Sequence, residues 1–167
     1  MEPSLWRPFG WARLDVTVAG YAGERQALSS VLVPVAPRQV AVHLVGQVFP
    51  GANVDAIQLL PASSKGLASG TAGAGTDDHV FVTRHGLLCR RTDVIAHARA
   101  QSVRLTVNPL QRLLGLATVH IDAPPGPVRV AAADRDLGEA RAIVESTARR
   151  AQAARAVDGD PGRWAAR

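Results

Sequence analysis

The stretch from Asp93 to Asp122, DVIAHARAQSVRLTVNPLQRLLGLATVHID, most constrains what this chain can fold into. Val103, Leu105 and Val107 alternate with Ser102, Arg104 and Thr106, the period of two that marks a half-buried strand. Asn108-Pro109 ends that run, because proline fixes φ and has no N–H to give a ladder. Pro109 suits the first position of a helical turn, PLQRLLG, which Gly115 can close with a positive φ. Alternation resumes at Ala117, with Val119 and Ile121 opposite Thr118, His120 and Asp122. Strand, short helical turn and strand within thirty residues point to a mainly β protein.

These residues carry a family resemblance. Gly86-Leu87-Leu88 before a basic strand, then Arg99, Gln101-Ser102, Pro109-Leu110-Gln111-Arg112 and Leu114-Gly115 follow in a specific order and spacing. The run resembles the second group of bacterial pleckstrin-homology-like domains, found in YdbS- and YdbT-like membrane proteins. The resemblance covers roughly Asp77 to Arg155. It implies a PH-like partial barrel or sheet closed by a terminal helix, and a place on the cytoplasmic side of the cell membrane. It also implies several such domains in one protein, beside membrane-spanning helices.

Read in order, Trp11–Ala19 and Ser29–Val35 are expected strands separated by a loop at Gly20–Arg25. Pro34 places the second at an edge or an end. Pro37 opens a helix with Val40, Ala41, Leu44, Val45 and Val48 on one face, ended by Pro50-Gly51. SLWRPFGWARLDV from Ser4 lies over PLQRLLGLATVHI from Pro109 without a gap, so that Leu5, Arg7, Gly10 and Ala12 match Leu110, Arg112, Gly115 and Ala117. Both copies run on into strands and a helix. A period near one hundred residues is that of tandem domains. The expected division is therefore an incomplete PH-like β-β-α unit at 1–51, a Gly/Ser/Ala-rich linker at 52–76, a complete domain at 77–156 and a disordered tail at 157–167. Two explanations fit the missing front of the first copy: the chain is the C-terminal portion of a longer protein, the expectation adopted, or its N-terminal strands and helix pack onto the complete copy.

Within the second unit, His79–His85 and Leu87–Ile95 form an expected hairpin about Gly86. Ala123-Pro124-Pro125-Gly126-Pro127 gives a tight connection to a last strand at Val128–Ala132. Asp134–Ala154 is a helix with Leu137, Ala140, Val144, Ala148 and Ala151 on one face and Ile143 beside them. Asp136 and Glu139 have capping-box spacing at its start.

Composition limits the chemistry. Hydrophobic residues are 47% and aromatics 4%, so the core must be Val, Leu, Ile and Ala. Net charge is +5, carried by arginine with Lys65 the sole lysine, a usage typical of GC-rich coding sequence. Cys89 is the only cysteine, which excludes an intramolecular disulfide and a cysteine-cluster metal site. No run reaches the ~18 apolar residues of a membrane span, and MEPSLWRPFG lacks signal-peptide layout. The glycine-rich Ser63–Gly75 lacks P-loop spacing. His43, His79, His85, His97 and His120 have no paired-ligand spacing and read as surface, turn or boundary residues. Asp77-Asp78 reads as a solvated pair, and Cys89 as a thiol packed in its strand. No GxSxG follows a strand. The expectation is a non-enzyme with no cofactor and no metal.

Arg84, Arg90, Arg91, Arg99, Arg104 and Arg112 remain as candidate anion- or partner-binding residues. A guanidinium fork bonds two phosphate oxygens at once, and each cation near an anionic membrane contributes roughly 1 kcal/mol. Arg90 and Arg91 point to opposite faces of their strand, so a single patch can use only one of them. The competing reading pairs the arginines with Asp93, Asp122 and Glu139. The expected function is an interaction or scaffolding module that binds a protein partner or itself through a sheet edge or hydrophobic patch. The alternative is a basic face on anionic lipid head groups. Few aromatics are available to stack bases, which argues against nucleic acid.

Overall fold

A computed structural model describes residues 1–16, 30–123 and 130–158. In chain order the elements are β1 (Glu2–Pro3), a 3-10 turn (Ser4–Phe9), β2 (Trp11–Val16), β3 (Ser30–Pro37) and α1 (Arg38–Val48). There follow β4 (Leu60–Pro61), β5 (Gly73–Thr76), β6 (Val80–His85), β7 (Cys89–Ala96) and a second 3-10 turn (His97–Arg99). The last are β8 (Ser102–Thr106), α2 (Pro109–Leu114), β9 (Leu116–Asp122), β10 (Val130–Asp136) and α3 (Leu137–Asp158). The Gly20–Arg25 loop, positions 124–129 of the proline-rich connection with the start of its strand, and the tail from 159 with Trp164 lie outside the described residues.

Among the described residues the strands make three antiparallel sheets, ordered β1-β7-β6-β5-β4, β10-β9-β8 and β2-β3. In the central hairpin Phe81 opposes Ile95 and Thr83 opposes Asp93, while Val82 opposes Val94 and Arg84 opposes Thr92. Side chains alternate across a strand, so these pairs divide between two faces. The Phe81 and Ile95 face packs, with Ala74, onto Val119, Ile121, Val130 and Ala132 of the three-stranded sheet and onto Ala140 and Ala151 of α3. Leu137, Ile143 and Val144 close the same cluster from the helix. An apolar stripe at helical spacing thus covers the open side of a small sheet pair, as the sequence pattern requires. The expected architecture, mainly antiparallel β with a terminal helix, is what the chain forms.

α2 follows its sequence signals closely. Asn108 caps it by accepting from the Gln111 backbone N–H at 2.7 Å, and the Gln111 side chain accepts from the Asn108 N–H at 3.1 Å. Gly115 ends it at φ 68°, in the left-handed region. The same geometry occurs near the start of the chain, where the first 3-10 turn ends at Gly10 with φ 64°. Gly10 accepts from the N–H of Arg38, the first residue of α1, at 2.6 Å, and Gly115 accepts from Leu137, the first residue of α3, at 3.0 Å. Trp11 pairs with Pro37 as Leu116 pairs with Asp136.

The stretch expected as a flexible linker holds ordered strands instead. β5, inside it, pairs with both β4 and β6. Its glycines serve close approach: a Cβ on Gly75 would stand 2.5 Å from the Gln58 carbonyl oxygen and 2.7 Å from Ile57 Cγ2. Residues 57 and 58 therefore lie directly on β5, a position that only glycine permits. The terminal helix also differs at its ends, beginning at Leu137 and running into residues 157 and 158 of the expected tail. Glu139, expected in a capping box, accepts from Arg135 at 3.0 Å.

Candidate functional site

The six arginines singled out by sequence fall in four environments. Arg104 reaches across to Asp122, with Nε at 3.0 Å from one carboxylate oxygen and Nη2 at 3.2 Å from the other. Ser102 donates to the same carboxylate at 2.7 Å. The Ser102 hydroxyl, helped by the guanidinium, holds the Asp122 carboxyl below its ordinary value. Arg91 Nε lies 2.9 Å from Asp93, whose side chain is buried. Arg112 is exposed on α2. Two of the acid partners foreseen for the arginines, Asp93 and Asp122, are therefore engaged, while Glu139 is taken by Arg135.

Arg84, Arg90 and Arg99 line one cleft of about 810 Å³. Its floor is the outer face of the β6–β7 hairpin, with Val82 and Val94. Its opposite wall is the inner side of β2 and α1, with Leu14, Ala41 and Val45. Arg84 and Arg90 share the floor face, because Arg84 opposes Thr92 and Arg90 lies two residues before Thr92. Arg38 enters from the start of α1 and pairs with Glu2 at 3.3 Å and Asp55 at 3.1 Å. Among the described residues no acidic group stands within ion-pair distance of Arg84 or Arg90. The Arg84 Nε is buried and makes no hydrogen bond among the described residues. Its guanidinium is held below its ordinary value by burial first, and then by the Arg90 charge. The arginines thus divide between opposite faces and separate elements, and they do not converge into one basic surface.

An apolar corner is the feature that sequence reasoning missed. Leu87 and Leu88, at the tip of the β6–β7 hairpin, are 70% and 76% exposed, and Leu5 and Phe9 are 81% and 67% exposed. Ser4 donates its N–H to the Leu88 carbonyl at 2.7 Å and Arg7 donates through Nη2 to the Leu87 carbonyl at 2.6 Å. These bonds fix the 3-10 turn against the hairpin tip. Phe9 stacks on Trp11 with ring centroids 5.2 Å apart, and Trp11 is itself exposed. Two adjacent leucines beside a turn glycine were the available signal, because a hairpin tip has no core to receive both. Only the fold, however, joins them to Leu5 and Phe9.

Two residues depart from expectation. Cys89, read as packed, is exposed at the start of β7. It stands where β7 meets only the two-residue β1, with Pro3 as its partner. His97, read as a surface or turn residue, is in a turn but is buried, with Nε2 3.1 Å from both Thr76 Oγ1 and the Asp77 carbonyl. Burial holds its imidazole below the ordinary value. Among the described residues no group of three or more His, Cys, Asp or Glu side chains could hold a metal ion. No helix among them is long and apolar enough to cross a membrane.

Mostly antiparallel sheets closed by a C-terminal helix define a PH-like fold. The chain matches the bacterial PH domain family over residues 39–151 and belongs to it. The match begins inside α1 and takes in β4 and β5, a wider span than the residues from Asp77 that carry the resemblance in sequence. Domains of this kind are in general interaction modules without catalytic activity. No curated protein and no solved structure matches the chain.

Proposed function

We propose that this chain is a non-catalytic interaction module that contacts a protein partner, or a second copy of itself, through the apolar corner of Leu5, Phe9, Trp11, Leu87 and Leu88. The observation that carries the reading is the exposure of these large side chains on two segments that backbone hydrogen bonds hold together. Scattered single hydrophobics are ordinary on a surface, but a joined set marks a contact site. Aromatic residues and leucines on a fixed frame lose little entropy when covered. The dispersal of the arginines favours this reading over a basic face laid on lipid.

The module acts, in this reading, within a larger membrane-associated protein on the cytoplasmic side of the membrane. Residues 1–51 are an incomplete copy of the domain that follows. The matched Gly10 and Gly115 ends, and the matched bonds from Arg38 and Leu137, support that repeat.

Sedimentation velocity over a concentration series tests the contact. The chain is expected to self-associate or to bind a co-purified partner, and Leu87→Asp with Leu88→Asp is expected to abolish this at unchanged thermal midpoint. Association that survives both substitutions would overturn the assignment. Arg7 and Trp11 at the same corner favour membrane as a second reading, since tryptophan and arginine suit the lipid interface. Co-sedimentation with neutral and anionic liposomes separates the two: binding lost in the leucine variant would place lipid, not protein, at the corner.

A further inference from the structure

The cleft beneath β2 and α1 has an apolar wall for a reason visible in the repeat. In the second unit Ala117, Val119, Ile121, Ala140 and Val144 belong to the packed core. Their counterparts by position in the first unit, Ala12, Leu14, Val16, Ala41 and Val45, line the cleft. The first unit thus turns toward the cleft, with Ala12 and Ala41 buried and Leu14, Val16 and Val45 half-buried, the face that the second unit covers with a sheet. Across the cleft stand Arg84 of β6 and Arg90 of β7, diagonal neighbours on one face of the hairpin and without an acidic partner among the described residues. Burying like charges together costs stability unless an anion joins them. The carboxylates that line the cleft are engaged by other arginines, Glu2 and Asp55 by Arg38, Asp15 by Arg13 and Asp93 by Arg91.

We propose that this cleft binds a small amphipathic anion, a phosphate or carboxylate head on an apolar body, with the head on Arg84 and Arg90 and the body against Leu14, Val45 and Val94. The cleft's volume, about 810 Å³, is that of a small-molecule site. The paired guanidinium groups supply the planar donors that such a head accepts. Binding supplies a partner for the buried Arg84 Nε and covers the half-buried Leu14 and Val45 in one step. The site uses none of the leucines and aromatics of the apolar corner, so it stands or falls independently of the contact proposed there.

Isothermal titration of the full chain with dodecyl phosphate below its micellar concentration tests it, beside inorganic phosphate and neutral dodecyl maltoside. Dodecyl phosphate is expected to bind and to raise the thermal midpoint, while inorganic phosphate binds about tenfold or more weaker because it lacks the apolar body. Arg84→Gln with Arg90→Gln is expected to weaken dodecyl phosphate by about tenfold or more, the loss of charged hydrogen bonds. Arg112→Gln, on α2, should leave it unchanged. If the double variant does not fold, Arg90→Gln alone and the salt dependence of wild-type binding report the same interaction. Equal binding of dodecyl maltoside would overturn the proposal and make the cleft a seat for an uncharged apolar segment. Inorganic phosphate binding as tightly would reduce it to a site for soluble anions. No binding of any of the three, or binding insensitive to both arginines, would remove it.

Discussion

The side-chain amide of Gln111 donates to a carboxylate oxygen of Asp134 over 2.7 Å, inside the protein and across 23 residues of sequence. Asp134 sits at φ 49° in the bulge of β10, where the register with β9 shifts. Its other carboxylate oxygen accepts from the Ala68 N–H at 2.8 Å, and its backbone carbonyl accepts from Ser63 at 2.8 Å. One residue therefore joins α2, the β10 bulge and the loop between β4 and β5. Gln111 is at the same time the capping-box residue of α2, so the cap and the tertiary tie share a side chain.

Asp134→Ala is expected to cost about 3 kcal/mol, since it takes the acceptor from a buried donor on Gln111 and a half-buried one on Ala68. Alanine also fits the positive φ poorly, whereas asparagine tolerates it. Asp134→Asn keeps the φ and one acceptor oxygen but turns an NH2 toward the other donor, so it should lose less than alanine without being neutral. Urea denaturation of the two variants checks the ranking, and equal losses would show that the pair of acceptor oxygens, not the φ preference, sets the cost.

How far the sequence disclosed this depends on which forces act locally. Asn108, Pro109, Gln111 and Gly115 announce α2 because caps and turns are decided within a few residues. Ser102–Thr106 and Ala117–Asp122 announce their faces because alternation is a property of the strand itself. Nothing local announces Asp134, whose partners lie 23 and 66 residues away. The arginines show the same limit: parity put Arg90 and Arg91 on opposite faces, but the acid beside Arg104 and the empty space beside Arg84 depend on strand register. The glycines of Ser63–Gly75 misled because close backbone approach and flexibility select the same residue. Leu87 and Leu88 carried a legible hint, yet their union with Leu5 and Phe9 needs the hydrogen bonds of the first 3-10 turn.

Gly75→Ala separates those two uses of glycine. In a flexible linker the substitution would be neutral or slightly stabilising, because it restricts the unfolded chain. On β5 the new methyl meets the Gln58 carbonyl and the Ile57 side chain. A loss of about 1–3 kcal/mol is expected from overpacking, measured as a shift in the urea midpoint. Gly70→Ala is a poorer comparison because its φ is 71°.

Arg135 is 1% exposed, and it holds β4 to the rest of the molecule. It donates to the Leu60 carbonyl at 2.8 Å, the Pro61 carbonyl at 2.9 Å and Glu139 at 3.0 Å. Arg135→Met keeps much of the volume but strips three acceptors of their donor, and about 3 kcal/mol of stability should go with it. Hydrogen exchange is expected to rise first at Ala62, whose N–H bonds to Ala72 beside β4. Glu139→Gln, which leaves both carbonyl bonds in place, should cost much less. Equal protection at Ala62 in wild type and Arg135→Met would show that β4 is held by other contacts.

Acid should weaken the fold through histidine before it acts on carboxylates. Burial holds the His97 imidazole below its ordinary value of 6.5, and burial followed by the Arg104 charge does the same for His120. The unfolded chain takes up protons on both rings near pH 6.5, while the folded protein resists them. As pH falls through that value the unfolded state binds more protons, so stability declines, and the slope vanishes once the folded-state rings also titrate. Above pH 6.5 neither state is protonated at these rings and their contribution is constant. The urea midpoint should therefore fall between about pH 7 and pH 5, above the range in which ordinary carboxylates titrate. His97→Gln retains a hydrogen-bonding side chain beside Thr76 and Asp77 but cannot take a proton, and it should flatten that fall. An undiminished pH slope in His97→Gln would assign the acid sensitivity to His120 or to another group.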